Sequence, residues 1–546
     1  MDKKEKKRPV PLTVELADTD RALVRLLLKR SRLLQKLVAS RQQAKRSLVD
    51  PALEKRLWDS WREELHEQVA VTRNWRLLFD LANELAYSQK QPDKAGTGFL
   101  LAPSRSEARI DSAGPPDMET ARLWILAARL ANAPLHLEPV ILNDPVVDCI
   151  KAMNQLGGGG GLSWDRQSIT HHPAPHEKAQ EKGAVFAGGD RLNIFFLICL
   201  SATTSGTVKF TGDMDLKRFD LGPSREVLRQ LGARATSLAP GGAGLPLRLE
   251  TSGMPEREIS IPREAPQELA LALPLAATAF PDGLTLRWHR DWPGSRLLPK
   301  VLTVLESCGV DIVPGTAQLQ VPRADLKVPH RPGLAVDPLL AAPFLALPGI
   351  SGGRVTLRGA WPSGQPEADV LVDLLTGFGC LVQPGQDAIE SLPGKASQSG
   401  VMDISTAPRL LPLATALAVL LQRTSTILLP EISPELRYCR EFLTELGQEH
   451  RLQDGGLIIE PFTGPGARKR TFTTPHPLWS LALSLTAFAR SGILLSNPGD
   501  MARLWPRYWS AYRSLPAPGD LLRLPHKEEP QPPSGEPHAR RRFHVD

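Results

Sequence analysis

His171, His172 and His176 stand within a few residues of one another among prolines, a density of imidazole from which a zinc site could be built. Nothing supplies a fourth ligand, so no metal is expected. Gly157 to Gly161 form a run of five glycines that could cradle a phosphate, but no Lys-Ser or Lys-Thr follows, and the run reads as a flexible loop. Cys149, Cys199, Cys308, Cys380 and Cys439 lie in or at the ends of apolar helical patterns, without Cys-x-x-Cys or Cys/His spacing. Such thiols fit a reduced, cytoplasmic core rather than redox or metal chemistry. No serine, histidine and aspartate share a context that would support a hydrolase. What is left is charge: 66 Lys and Arg against 59 Asp and Glu, a net +7, partly carried by the end segments MDKKEKKR and HARRRFH. No basic stripe interleaved with aromatics accompanies it, so nucleic acid is not the expected partner, whereas small anionic substrates are compatible.

The elements that must position such a site come from repetition. The clearest copy runs from Asp403 to Glu460. It reads as an apolar helix from Pro408 to Leu421, a strand from Thr424 to Leu429, and an amphipathic helix from Pro434 to Leu446. A glycine stop at Gly447 and a hairpin turning at Asp454-Gly455-Gly456 complete it. Leu436, Cys439, Phe442, Leu443 and Leu446 recur at the spacing that lines one helix face. Apolar helices followed by short strands also open near Thr120, Leu192, Gln267, Asp337 and His476, with starts roughly 70 residues apart, too long for a solenoid repeat. Amphipathic helices ending in glycine follow five of the six, and the last copy ends in DMARLWPRYWSAY instead. At 546 residues with 42% apolar composition the chain can build two or three large cores. Its longest apolar run, Leu410 to Leu421, is too short to span a bilayer, and no signal-like apolar segment opens the sequence, so a cytoplasmic protein without membrane contact is expected.

Six helix, strand, helix and hairpin units from Phe99 to Leu515 resemble the enolpyruvyl transferases, and most closely the 5-enolpyruvylshikimate-3-phosphate (EPSP) synthase family. The resemblance rests on NDPVVDCIKAMNQLG, TGDMDLKRFDLGPSREVLRQLGA, VDPLLAAPFLALPGISGGRVTLRGA and NPGDMARLWPRYW. It implies an α/β fold of two lobes with three units each, an inside-out α/β barrel with helices inside sheets. It also implies an activity of the shikimate pathway: transfer of enolpyruvyl from phosphoenolpyruvate to shikimate 3-phosphate between the lobes, without a cofactor. The implied division is a helical domain at 1–92, a linker and first strand at 93–102, lobes at 103–330 and 331–515, and a disordered tail at 516–546.

The same resemblance places individual residues. Where the family has Pro-Gly-Ser-Lys-Ser and a later arginine, this chain offers Arg105, Ser106 and, one position early, Arg109. Gln267 matches a glutamine facing the shikimate ring, and Arg503 matches a late lysine on phosphoenolpyruvate. These five are the expected substrate contacts. His476 matches the histidine of a His-Arg pair whose arginine is here Pro477. The aspartate that serves the family as base is here Arg409, whose guanidinium cannot accept a proton. The Lys-Glu-Thr-Asp-Arg segment is replaced by Glu431-Ile432-Ser433-Pro434-Glu435. Proton transfer would therefore fall to His476, Glu431, Glu435 or Asp190. Two readings follow, a divergent synthase or a catalytically impaired scaffold of the same pathway.

Residues 12 to 91 differ from all that follows, with almost no glycine or proline. Leu23, Leu26, Leu27, Leu33, Leu34 and Leu37 predict one helix, Asp50-Pro51 starts a second through Leu53, Leu57 and Trp61, and a third runs from about Trp75 to Tyr87. This pattern resembles the all-helical chorismate mutases, a likeness that sets Arg30 and Arg41 on one side of the first helix and Asp50 and Glu54 on the second, and that implies a third reading, chorismate mutase activity in these helices. Three such helices cannot enclose a polar site alone, so a homodimer or a pathway partner bound through them is expected.

Overall fold

The computed structural model describes residues 12–43, 56–57, 60–61, 98–157, 160–174, 184–238, 244–430, 433, 435–453, 455–462 and 469–522. Helices that are apolar on every side must be enclosed on every side. The six predicted apolar helices form as Met118–Ala131, Arg191–Ala202, Leu269–Ala277, Pro338–Leu345, Leu411–Leu421 and Pro477–Thr486. Leu269–Ala277 is buried at every position, and so is Pro338–Leu345. The inner helices pack on one another, Arg191–Ala202 and Met118–Ala131 on Leu269–Ala277 in the first lobe, and Leu411–Leu421 on Pro477–Thr486 in the second.

Sheets wrap these helices from outside. Each strand turns alternate residues inward, as in Glu258–Ile261, where Ile259 and Ile261 are buried and their neighbours exposed. Among the described residues there are six sheets of three or four strands. The typical unit has a strand before the inner helix, a parallel strand after it, an outer helix and an antiparallel hairpin. In the fifth unit these are Val401–Asp403, Ser425–Leu428, the helix Leu436–Leu446, His450–Gln453 and Gly456–Ile459. Its outer helix buries Cys439, Phe442, Leu443 and Leu446 and ends at Gly447 with φ 71°, as the stripe and the glycine stop predict. The helical and sheet elements thus form the two-lobed α/β fold with helices inside.

The first strands cross the division expected at 103. Phe99–Leu101 pairs with Ile493–Leu495 of the sixth unit, and Ala108–Ala113 runs parallel to Gly353–Arg358 of the fourth. Both strands therefore lie in the second lobe, and the chain crosses to the first only at Gly114–Asp117. It returns at Ala335–Asp337, and the two crossing segments touch: Asp117 N–H donates to Ala335 O at 2.9 Å, and Asp337 N–H to Pro115 O at 2.7 Å. A Cβ on Gly114 would lie 2.7 Å from Val336 Cγ2, so the crossing is close enough to require glycine there. Residues 516–522, expected within the tail, belong to the described fold. Leu521 and Leu522 are buried, Leu521 N–H donates to Ser112 Oγ at 3.0 Å, and Arg109 N–H donates to Pro516 O at 2.9 Å.

Two glycines of the run, Gly157 and Gly160, hold an arginine. Arg129 donates to Gly157 O and Gly160 O at 2.8 Å each, and Gly160, at φ +85°, leaves no room for a Cβ beside His172 O. His171 is buried and hydrogen-bonds Ala133 O at 2.7 Å, while His176 lies outside the described residues. All five cysteines are buried and unlinked, and burial pushes the Cys149, Cys199 and Cys439 thiols up to about 12. Among the described residues no helix is long and apolar enough to cross a membrane. Leu12–Gln43 is one helix of 32 residues. Asp50, Glu54 and the third expected helix lie outside the described residues.

Candidate functional site

The two crossing segments end in aspartates that cap the first inner helix of each lobe. Asp117 accepts from the N–H groups of Glu119 and Thr120 at 2.9 and 3.3 Å, and Asp337 from those of Leu339 and Leu340 at 2.8 and 3.2 Å. The crossing brings the caps together, and cations gather around them. Lys300, on the outer helix Leu298–Ser307, lies 2.8 Å from Asp117 and 2.7 Å from Glu119. Arg409, from the second lobe, holds Glu119 with both terminal guanidinium nitrogens, at 3.1 and 3.4 Å. Burial alone would raise the Glu119 carboxyl, but Arg409, Lys300 and Arg122 hold it far below the carboxylate range. The same carboxylates push the Lys300 ammonium up despite its burial. Burial, then repulsion from Asp117, pushes Asp337 up to about 7.

The network continues into the first lobe. Arg122 is buried and lies 2.7 Å from Asp190 and 3.0 Å from Asn193 Oδ1. Asp190 caps Arg191–Ala202 through Asn193 N–H. Glu268, before the third inner helix, is pushed up by burial and by Asp190 and Glu119, against Arg191. A second bridge between the lobes joins Arg503 to Asp215, beside Gly189. Asn143 adds a third by donating to Leu504 O at 3.1 Å.

The structure separates the predicted site residues into groups. Arg105, Ser106 and Arg109 are exposed at the first strands of the second lobe, and Arg109 sits 3.7 Å from Glu107. It does not bring them to the helix heads. The inner helix begins instead after Gly114-Pro115-Pro116-Asp117, with Arg122 five positions after Asp117. Gln267 is exposed before its helix. Asp190 is tied to a cation, and Arg503 to Asp215. Glu435 and His476 come together: the Glu435 carboxylate accepts from Trp479 Nε1 at 2.9 Å and lies 2.8 Å from His476 Nε2. Burial would raise Glu435, but the bonds to His476 and Trp479 hold it below the usual range. Glu431 lies outside the described residues. Arg30 stands 5.4 Å over the Trp61 ring, and Arg41 lies on the same helix.

Asp117, Glu119, Arg122, Asp215, Lys300 and Asp337 were not among the sequence candidates. Asp117 and Asp337 were legible as carboxylates before apolar runs, the signature of a cap. Nothing local marks Lys300, whose partners lie 181 and 183 positions away.

Asp337 gives the site a pH signature. Its protonated form is favoured by folding, so stability is lost as pH rises from its ordinary value of 3.8 through about 7. An Asp337→Asn protein keeps a capping oxygen but cannot ionise. It should match the parent at pH 3, below the ordinary value, and exceed it by about 1–2 kcal/mol at pH 8, a magnitude reduced because the carboxyl keeps some water contact. Denaturant titrations at the two pH values measure this, and parallel curves would contradict it.

Comparisons with known proteins agree with the fold. The family model described as EPSP synthase (3-phosphoshikimate 1-carboxyvinyltransferase) matches residues 103–495. The 3-phosphoshikimate 1-carboxyvinyltransferase of Korarchaeum cryptofilum is 25% identical over 421 residues, covering 75% of this chain and 96% of the relative. That of Kocuria rhizophila is 33% identical over 242 residues, 41% of this chain and 51% of the relative. Among solved structures, EPSP synthase from Acinetobacter baumannii superposes with TM-score 0.62 at 16% identity, covering 76% of this chain and 98% of that one. The enolpyruvyl transferase NikO from Streptomyces tendae gives 0.57 at 16%, covering 76% and 97%.

Proposed function

Because the chain belongs to the EPSP synthase family, we propose that it is a member that retains the two-lobed scaffold of this shikimate-pathway family without carrying out the enolpyruvyl transfer. The observation that carries this reading is the two-bond ion pair of Arg409 with Glu119. A cation stands where the family's base is expected, and a carboxylate of the opposite lobe neutralises it.

The reasoning is electrostatic. Gripping shikimate 3-phosphate and phosphoenolpyruvate needs cations that face unoccupied space. Here Arg409, Lys300, Arg122 and Arg503 each face an acid of this chain: Glu119, Asp117 with Glu119, Asp190 and Asp215 in turn. A substrate anion must displace those acids, leaving them unpaired in a partly buried cleft, at a cost of several kcal/mol. The carboxylates thus occupy the electrostatic role of substrate anions and hold the lobes to each other. No observation on the Arg30 and Arg41 helix favours mutase chemistry.

A second reading, a divergent synthase, is favoured by the contact of His476 with Glu435, since a half-exposed imidazole held by a carboxylate can move protons. A phosphate-release assay with phosphoenolpyruvate and shikimate 3-phosphate separates the two. The expected result is no release above the protein-free rate. Turnover that disappears in His476→Ala would establish the second reading in place of the first.

A further inference from the structure

We propose that a cavity in the second lobe, between the fourth and fifth units, binds a free α-amino acid with an apolar side chain. None of its lining residues belongs to the network around Arg409 and Glu119, so the inference stands whether or not the cleft is active. The helix Pro366–Phe378 of the fourth unit lines one side and the strand Val401–Asp403 the other, with Arg423 from just past the inner helix Leu411–Leu421. At ≈ 220 Å³ the cavity holds the equivalent of about seven waters and falls below the ~300–1,000 Å³ of sites for drug-sized ligands. Part of that space exists because position 377 is glycine: a Cβ there would meet no atom within 4 Å. The buried Leu374 and Met402 and the half-buried Leu421 give it an apolar lining.

Both signs of charge line the cavity, and neither is neutralised by the other. Ser397 N–H donates to Gly377 O at 2.9 Å, and Arg423 donates to Ser397 O, so the guanidinium stands at the Gly377 end. Its Nε is buried without a hydrogen-bond partner, and no acid among the described residues pairs with it. Asp373 lies one helical turn before Gly377, about 6 Å along the axis at 1.5 Å per residue. Asp403, at the far end of its strand, accepts from Ser405 N–H at 2.9 Å, a bond that holds its carboxyl below the usual range. Neither carboxylate is ion-paired with a described residue. A half-buried guanidinium without an acid favours an anion beside it, and two unpaired carboxylates favour a cation. A dicarboxylate would be repelled by the acids and a diamine by Arg423, whereas a small zwitterion answers both. An apolar side chain on the same molecule then covers Leu374, Met402 and Leu421.

Equilibrium dialysis of the full chain against labelled L-leucine and labelled L-phenylalanine tests this. At least one of them should bind with a dissociation constant below about 1 mM, within reach of a ligand of this size. As competitors of labelled leucine, 3-methylbutylamine, which lacks its carboxylate, and 4-methylpentanoate, which lacks its ammonium, should each be at least about ten-fold weaker than leucine itself. Arg423→Met should erase the advantage of the amino acid over the amine. Asp373→Asn with Asp403→Asn keeps the oxygen that accepts from Ser405 and should erase the advantage over the acid. Gly377→Leu fills the cavity from a position with room for a side chain and should abolish binding, with an unchanged thermal transition showing that the variant is folded. No retention of either amino acid at concentrations up to about 1 mM overturns the proposal. So does binding that Gly377→Leu and Arg423→Met leave unchanged, which would place the ligand elsewhere, and so does an amine that competes as well as leucine.

Discussion

Replacing Lys300 by methionine should destabilise the protein by about 3–5 kcal/mol, the loss typical when one partner of a buried charge cluster is removed. The ammonium is 12% exposed and is shared by Asp117 and Glu119, whose side chains are 6% and 23% exposed. Methionine keeps most of the aliphatic stem, so the change isolates charge from packing. Arg409 still answers Glu119, but Asp117 is left with only its capping N–H groups and the Thr120 hydroxyl as partners. The defect should narrow on acidification, because protonating the stranded carboxylates removes the uncompensated charge. Urea denaturation at pH 8 and pH 4 measures both parts. A loss under about 1 kcal/mol at pH 8, the range of solvated ion pairs, would mean that water reaches the cluster in solution.

What could be seen in the sequence and what could not divides along a physical line. The inner helices are buried on all sides, so their apolar runs had to be continuous, and all six were legible from composition alone. The outer helix Leu436–Leu446 was legible because burial on one face imposes a period, and Gly447 because a left-handed cap favours glycine. Strand partners were not legible, since nothing in Ala108–Ala113 says that its neighbour is Gly353–Arg358, some 245 residues on. That blindness displaced the site. Arg105, Ser106 and Arg109 resemble the family motif in residue type, but only the helix start at Met118 shows that Asp117 and Arg122, and not they, stand at the head of the first inner helix. Ion pairs across lobes share the difficulty. Arg409 could be read as a lost base, but its ion pair with Glu119, 290 residues away, is a property of the folded chain.

Arg409→Asp should open the lobes and still give no phosphate release from phosphoenolpyruvate and shikimate 3-phosphate. The substitution places a carboxylate where the family resemblance expects the base, so it asks whether one lost residue explains a silent site. Electrostatics predicts that it does not. Position 409 faces Glu119 and is coupled to Asp337, Glu367 and Lys300, so the change removes the cation holding Glu119 and adds an acid beside two or three others. Because Arg409 is 38% exposed, solvent screens part of the repulsion, and a stability loss of about 1–3 kcal/mol is expected. Arg409→Met removes the cation without adding an acid and should lose less. Opening would appear as a larger radius of gyration in X-ray scattering and as faster proteolysis near the crossing segments 114–117 and 335–337, in the order Asp, Met, parent. Turnover should stay at background because Asp117 still occupies Lys300 and Asp215 still occupies Arg503. Phosphate release by Arg409→Asp at a rate dependent on both substrates would show that the cleft needed only its base, and the reading of this chain as a non-catalytic member would fall.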